Sequence, residues 1–170
     1  INVSGQKLIK MADLQRHFMT AGATAVQTYI QSGNVVFQHA GKSTASVRRQ
    51  IETGLAKGLG YPVPTLVLTP TELAAMVQGN PYPSEAPEFG RRMYMGFLAT
   101  DPTAAAVAAI QPMITPEEQL VVQGRVVYAL YATGMGKAKL TSAVIERKLG
   151  LVTMRNWNTV TAVLALVHGK

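Results

Sequence analysis

The only tryptophan of the chain stands in a run of recognition groups near the C-terminus, Thr153-Met154-Arg155-Asn156-Trp157-Asn158-Thr159. Arg155 offers a forked donor, the asparagine amides donate and accept hydrogen bonds, and the indole of Trp157 offers a flat face for a base or a ring. The same groups can serve structure, since Asn158 or Thr159 can cap a following helix and Trp157 can pack between two parts of the chain. The run therefore indicates either ligand recognition or the packing of a final helix.

A second candidate is the glycine-rich segment Gly134-Met135-Gly136-Lys137, with Lys139 two residues further on. It lies between a predicted strand and a predicted helix, where backbone N–H groups and a lysine can hold a phosphate. A Walker A loop requires glycine at Tyr131 and Ser or Thr at Ala138, and a dinucleotide fingerprint requires glycine at Lys139. The segment fits neither motif. The alternative is a flexible turn with two solvent-facing lysines.

A resemblance to a known family rests on three segments. The third of them is Thr28-Tyr29-Ile30-Gln31-Ser32-Gly33-Asn34-Val35-Val36-Phe37. Together with the run 153–159 and the segment 134–141, it resembles the bacterial family known as domain of unknown function 1697. The resemblance implies a fold and no activity. Family members carry an apolar strand, ending in a turn similar to Leu-Arg-Gly, before the segment matched here by Ile1-Asn2-Val3-Ser4-Gly5. An unpaired neighbouring strand would favour aggregation, so we expect that the sequence is truncated at its start.

Hydrophobic spacing and turn residues predict helices and strands along the whole chain. In the first half they predict a helix over 11–21, strands over 25–31 and 34–38, a helix over 47–59 capped by Ser43 or Thr44, a strand over 63–68 and a short helix over 71–78. In the second half they predict a strand over 93–98, a helix over 103–110, a hairpin of 119–123 and 125–131, a helix over 139–149, a strand over 152–157 and a buried helix over 160–167.

The second half thus has the order βαββαβ with an added helix. The first half would have the same order if one strand preceded Ile1. This is the ferredoxin-like split βαβ plan. We therefore predict an α+β protein of two ferredoxin-like (α-β plait) halves packed together, comprising residues 1–79 and 93–170 and joined by a connecting loop over 80–92.

Charge is unevenly spread along the chain, whose net charge is +7. Residues 1–60 carry seven Lys or Arg against two acids, residues 61–133 carry three against six, and residues 134–170 carry six against one. If the two basic ends meet in space, they form a positive face suited to phosphate or nucleic acid. The alternative is a solvated face that keeps the protein soluble.

The sequence gives little support for metal-dependent, thiol or carboxylate chemistry. The absence of cysteine excludes disulfides, thiolate nucleophiles and cysteine-bound metals. The three histidines have no second ligand at a metal-binding spacing, so we expect no metal and no cofactor. Glu117-Glu118, like the other acids, forms no evident pair, and each is expected to be a solvated surface charge or a partner of a helix terminus rather than a catalytic carboxylate. No apolar run reaches the roughly 18 residues of a membrane span, and we expect a cytoplasmic protein.

RNA binding on a sheet face is disfavoured as well. Domains of that kind stack bases on several aromatic side chains of the central strand, whereas the segment 33–37 supplies only Phe37. By the alternation of apolar residues, Phe37 and Tyr128 are expected to be core residues.

The sequence favours a non-catalytic binding protein for a phosphorylated ligand or nucleic acid. The alternatives are an enzyme acting on a phosphorylated small molecule, with the same residues positioning its substrate, and a homodimeric scaffold that associates through its sheet faces. No catalytic residue is assigned. The predicted contact residues are Gly134, Gly136, Lys137, Lys139, Arg155, Asn156, Trp157 and Asn158, with Asn2, Gln31, Ser32 and Asn34 as polar neighbours if the halves face each other.

Overall fold

The computed structural model describes residues 9–30, 33–82 and 88–169, and it mixes helices with antiparallel strands. The α+β class is therefore confirmed. The chain divides into two compact units. The first unit consists of two stretches, the chain up to Glu72 and the chain from Ala165 onward. The second unit comprises Leu73–Leu164. The predicted connection over 80–92 stays a prediction, since residues 83–87 lie outside the described part.

The first unit contains two helices, an antiparallel hairpin and the start of a third helix: α1 (Met11–Thr20), β1 (Thr24–Tyr29), β2 (Asn34–Gln38), α2 (Thr44–Leu59) and α3 (Pro70–Gln78). In the hairpin Tyr29 lies opposite Asn34. Gly33 at the turn has a φ of 76°, which glycine adopts without the steric cost of a Cβ. These elements agree with the predicted ones to within about three residues, the usual uncertainty of element ends.

Apolar residues at helical spacing build the core of the first unit. Leu14 and Phe18 on α1, and Val47, Ile51 and Leu55 on α2, are all buried and belong to one cluster. Complete burial of such a side chain stabilises the fold by about 1.5–3 kcal/mol relative to its exposure. The pairing of α1 with α2 therefore follows from the spacing read in the sequence.

Helix α2 begins at the predicted cap. Ser43 Oγ accepts a hydrogen bond from the N–H of Ser46 at 3.2 Å, which satisfies one of the free donors of the first turn. At the other end, Gly60 has a φ of 80° and its N–H donates to Ala56 O at 2.9 Å. Both ends of the helix are thus set by local residues.

The apolar run 63–68 is not a strand, contrary to the sequence prediction. Pro64 has no backbone N–H, and the N–H of Thr65 donates to Glu52 Oε1 at 2.8 Å instead of joining a ladder. Val63 and Thr65 are nonetheless buried. Packing and a side-chain hydrogen bond therefore hold this run, and a β-rich composition cannot distinguish that arrangement from strand pairing.

The second unit has the element order βαββαβ, preceded by a one-turn helix and followed by a longer one. Its elements are α4 (Phe89–Arg92), β3 (Met93–Leu98), α5 (Ala104–Ile110), β4 (Glu118–Gln123), β5 (Val126–Tyr131), α6 (Ser142–Leu149), β6 (Val152–Asn156) and α7 (Trp157–Val167). The four strands form one sheet in the order β4-β5-β3-β6, and every neighbouring pair is antiparallel.

Both faces of this sheet are buried along its central strands. On one face Val127 and Ala129 of β5 belong to a core cluster with Ile110 of α5 and Ile145 of α6. On the other face Met93, Met95, Phe97, Val126 and Tyr128 are also at most 8% exposed. Of the residues of β3 and β5, only Tyr94 and Leu130 are partly exposed, so these two strands offer little open surface to a ligand that would stack on the sheet.

One helix covers part of the second face. Tyr128 is buried, as predicted, and its hydroxyl donates to Met76 O of α3 at 2.7 Å. A Cβ built at Gly79 would lie 2.9 Å from the same hydroxyl, so the chain just after α3 also passes close to Tyr128. The tyrosine thus fastens α3 to the sheet through a satisfied buried hydroxyl.

The last helix begins three residues earlier than predicted and is only partly buried. Thr159 and Val160 are buried, whereas residues 161–167 are partly exposed. The prediction of full burial was wrong because apolar residues all round a helix do not oblige every side to be covered, and folded proteins expose much apolar surface. Within the described ranges, no helix combines the length and apolarity needed to cross a membrane.

We expect Gly54→Ala to destabilise the first unit. A Cβ at Gly54 would lie 2.8 Å from Ala21 Cβ, at the end of α1. Overpacking of this kind costs about 1–3 kcal/mol, which exceeds the gain of about 1 kcal/mol from replacing glycine in a helix. The change in unfolding free energy is measured by urea denaturation.

The matched control is Thr53→Ala, an exposed position on the same helix. It places the same residue in α2 without a close neighbour, and its effect should stay within about 0.5 kcal/mol. A Gly54→Ala variant more stable than the parent would contradict the close approach of α1 and α2.

Candidate functional site

Three separate segments meet at one end of the four-stranded sheet. Near the start of β3, Met93 pairs with Leu130 near the end of β5, and Tyr94 pairs with Asn156 at the end of β6. Helix α4, which precedes β3, therefore lies beside the chain that leaves β5 and the chain that leaves β6. We call these segments, residues 89–92, 132–141 and 156–158, the candidate site.

Helix α4 packs against the tryptophan motif. Phe89 is buried, and its ring meets the indole of Trp157 edge to face, with centroids 5.5 Å apart and planes at 80°. Gly90 lies so close to the Asn158 amide that a Cβ at position 90 would overlap it. Trp157 is thereby held in place on one side while it stays partly exposed, and Asn158 is exposed.

The same helix also contacts the glycine-rich segment. The guanidinium of Arg92 donates from Nε to Tyr131 O, the last carbonyl of β5, at 2.8 Å. Gly134 lies near Arg91 O, at 3.9 Å from the position that a Cβ would occupy, and its φ is 87°. The positive φ explains why glycine stands there. Helix α4 therefore bridges the two segments that the sequence singled out.

The glycine-rich segment uses its backbone N–H groups within the protein. The N–H of Ala138 donates to Met135 O at 3.1 Å, and that of Thr141 donates to Lys139 O at 3.0 Å. The N–H of Leu140 donates to Glu118 Oε1 at 2.9 Å. The side chains of Lys137 and Lys139 are in contrast exposed. The segment therefore presents lysine charge to solvent, while the N–H groups of Ala138, Leu140 and Thr141 serve the protein itself.

Glu118 holds this segment through its hydrogen bond with the N–H of Leu140. It is buried and is therefore not the solvated acid that the sequence suggested. Its side chain is 6% exposed, and its second oxygen accepts from the N–H of Thr115 at 3.0 Å. Burial by itself raises the pKa of the Glu118 carboxyl, but the N–H groups of Leu140 and Thr115 stabilise the charged form. The net effect is a pKa below the ordinary value.

Tyr131 bonds the backbone carbonyl of the same residue, Leu140. Its hydroxyl donates to Leu140 O at 2.9 Å, and its ring meets that of Tyr94 edge to face at 5.6 Å. Burial, followed by the charge of Glu118, raises the pKa of Tyr131. The hydroxyl therefore keeps its proton at every physiological pH and remains a donor.

Two of the predicted contact residues are engaged inside the protein. Asn156 Oδ1 accepts from the N–H of Thr159 at 2.9 Å, so Asn156 is the cap of α7, in place of the predicted Asn158 or Thr159. Arg155 donates from Nη1 to Met154 O at 2.7 Å, and burial lowers its pKa. Since an arginine pKa starts above about 12, the guanidinium stays charged.

The structure brings part of the predicted set together. Gly134, Gly136, Lys137 and Lys139 lie at the same sheet end as Asn156, Trp157 and Asn158, with Arg155 on the adjoining strand. Asn34 belongs to the first unit, where its Nδ2 donates to Tyr29 O at 3.2 Å across the hairpin. Asn2, Gln31 and Ser32 lie outside the described residues.

Helix α4 is absent from the elements that the sequence predicts. Residues 80–92 form the predicted connection within an acidic stretch, although Arg91-Arg92 directly precedes a strand. This basic pair just before a strand was the available signal, since residues at strand ends can face a ligand. Arg91 is exposed and Arg92 is partly buried. Among the described residues, no cluster of three or more His, Cys, Asp or Glu could hold a metal ion.

We expect Glu118→Gln to destabilise the second unit by about 2–3 kcal/mol. The amide keeps the size of the side chain, but its NH2 group would face the N–H of Thr115 or Leu140 and leave one buried donor without an acceptor. Glu117→Gln is the matched control, since Glu117 is exposed and adjacent. Equal unfolding free energies for the two variants would contradict the anchoring role.

The acid dependence of stability should also depend on Glu118. Because its folded-state pKa is lowered, its contribution is complete above the unfolded value of about 4.3 and is lost as the pH falls through the folded value. The parent should therefore lose stability below about pH 4.3 more steeply than Glu118→Gln. Denaturation curves at a series of pH values test this, and parallel pH profiles would refute it.

Comparison with known proteins places the chain in a family. Residues 1–128 match the family described as Protein of unknown function (DUF1697). The match ends before the segments 134–141 and 153–159, so the candidate site lies largely beyond it. The fold is similar to that of the conserved bacterial protein SP0830 from Streptococcus pneumoniae, with 18% identity, a TM-score of 0.69, and coverage of 99% of this chain and 93% of that chain.

At that identity the likeness shows a shared fold alone. A search of curated proteins found no match. The family match covers more than half of the chain and confirms the resemblance seen in the sequence. The chain belongs to the DUF1697 family of proteins of unknown function.

Proposed function

We propose that the protein is a non-catalytic binding protein that holds a phosphate-bearing ligand at the candidate site. The observation that carries this proposal is the presence of basic residues on separate segments at one sheet end: Arg91 from α4, and Lys137 and Lys139 from the chain after β5. All three side chains are exposed. Anions are attracted to such a patch, and the net charge of +7 adds to that attraction.

The acid beside the site supports binding over catalysis. A general base must present a free carboxylate oxygen within hydrogen-bond reach of the substrate. The oxygens of Glu118 instead accept from the N–H groups of Leu140 and Thr115, and the side chain is buried. Glu118 thus serves the shape of the site and takes no part in proton transfer.

We also propose that both halves follow the ferredoxin-like plan. The βαββαβ order of the second unit and its antiparallel sheet order β4-β5-β3-β6 support this for the C-terminal half. The αββα order of residues 11–59 supports it for the N-terminal half. Such a plan hosts many functions, so the proposed activity rests on the candidate site and not on the fold.

The combined change Lys137→Ala and Lys139→Ala should weaken anion binding with little effect on folding. Exposed charges contribute at most about 1 kcal/mol to stability. We expect the affinity for a labelled oligothymidylate of about 15 nucleotides to fall at least about tenfold at low salt, with a shallower salt dependence. Fluorescence anisotropy at several salt concentrations measures both, and urea denaturation checks folding.

The matched control is Arg125→Ala with Arg147→Ala, which removes two charges from the same unit at the other end of the sheet. Arg125 precedes β5, and Arg147 lies in the last turn of α6, before β6 begins. If binding depends only on net charge, the two double variants will lose affinity equally, and the proposed site is wrong. If the parent binds neither oligothymidylate nor inorganic tripolyphosphate, the proposed function is wrong.

A further inference from the structure

At the candidate site, several of the backbone N–H groups that could hold a compact phosphate are already used by the protein. Proteins hold such a group with several backbone N–H groups that converge on it. Between β5 and α6, the N–H groups of Ala138, Leu140 and Thr141 are already bonded to oxygens of the protein. Positive charge is left to the exposed side chains of Lys137 and Lys139, and lysine acts as a flexible point charge. Flexible charges along a surface fit the repeated phosphates of a polymer.

An aromatic platform lies at the same end of the sheet. Phe89 holds the Trp157 ring, which is partly exposed, and the exposed amide of Asn158 adjoins it. Proteins that bind single-stranded nucleic acid stack bases on aromatic rings of this kind beside a basic track.

The central strands of the sheet offer little aromatic surface to a ligand. Binding on a sheet face requires aromatic rings open to solvent, whereas Phe97 and Tyr128 are at most 8% exposed and the partly exposed ring of Tyr94 packs edge to face against Tyr131. A base paired in a duplex is already stacked between its neighbours, and only an unpaired base can lie flat on a tryptophan. The platform therefore favours a single strand over a duplex.

We infer that the ligand is single-stranded nucleic acid, with one base stacked on Trp157 and the adjoining phosphates on Lys137, Lys139 and Arg91. This inference rests on the proposed function and narrows it from phosphate-bearing ligands in general to a polynucleotide. The contacts are to a ring face and to the backbone, so sequence preference is weak.

The intrinsic fluorescence of the parent protein tests the stacked base. Trp157 is the only tryptophan, so the emission reports on this residue alone. Titration with oligothymidylate or oligouridylate should quench the emission in step with binding. Inorganic tripolyphosphate should bind weakly and leave the emission unchanged, and a duplex of equal length should bind less tightly than the single strand. Comparison of the two oligomers shows whether the ribose 2′-hydroxyl contributes.

Two variants distinguish the stacking of a base on Trp157 from the packing of Trp157 within the protein. Trp157→Leu keeps an apolar side chain against Phe89 but removes the aromatic face, and we expect it to lower oligonucleotide affinity about 5- to 100-fold. Trp157→Phe keeps a smaller aromatic face and should lose clearly less. Urea denaturation verifies that each variant is folded, and tripolyphosphate affinity should be the same in both as in the parent.

The outcomes distinguish the inference from the proposed function. The inference of a stacked base is wrong if oligonucleotide and tripolyphosphate bind with no change in emission, or if both variants bind the oligonucleotide as tightly as the parent. In either case the proposal of anion binding still stands. If a duplex binds more tightly than the single strand, the inference is also wrong. If no phosphate-bearing probe binds the parent at low salt, the proposed function fails as well.

Discussion

The backbone N–H and the backbone carbonyl of Leu140 are both bonded by side chains of the sheet. Its N–H donates to the buried carboxylate of Glu118, and its carbonyl accepts from the hydroxyl of Tyr131. Glu118 begins β4 and Tyr131 ends β5, and these two residues are paired across the ladder. A hydrogen bond to a charged group contributes about 1.5–3 kcal/mol, more than a neutral one. The position of the whole segment before α6, with its two lysines, depends on this attachment.

The candidate site lies at the strand ends because the residues of the central strands are almost all buried within the protein. Because all residues of β3 and β5 except Tyr94 and Leu130 are buried, the loops and short helices around the sheet are the place for variable chemistry. Helix α4 then sets the distance between the basic segment and the tryptophan, since Arg92 is bonded to Tyr131 O and Phe89 packs on Trp157. A rigid sheet with short attached segments can present a ligand site without a deep pocket.

Features set by neighbouring residues were predictable from the sequence. The strand Met93–Leu98 has the predicted bounds, and Ser43 caps α2 as predicted because its hydroxyl accepts from the N–H of Ser46. Features set by distant residues were not predictable. Glu118 is buried because Leu140, 22 positions away, supplies a donor, and an isolated acid in a sequence gives no sign of such a partner. Arg91 lies at the candidate site only because β3, which follows it in the chain, pairs with β5 and β6.

The contact between Gly90 and Asn158 links two positions that are far apart in the chain. Any side chain at position 90 would enter the space of the Asn158 amide, while a smaller residue at position 158 would free that space. Substitution at one position therefore changes which residues the other can accept, so their effects on stability are not additive. Among related sequences, this geometry implies correlated changes: a residue larger than glycine at the position of Gly90 should occur together with one smaller than asparagine at that of Asn158.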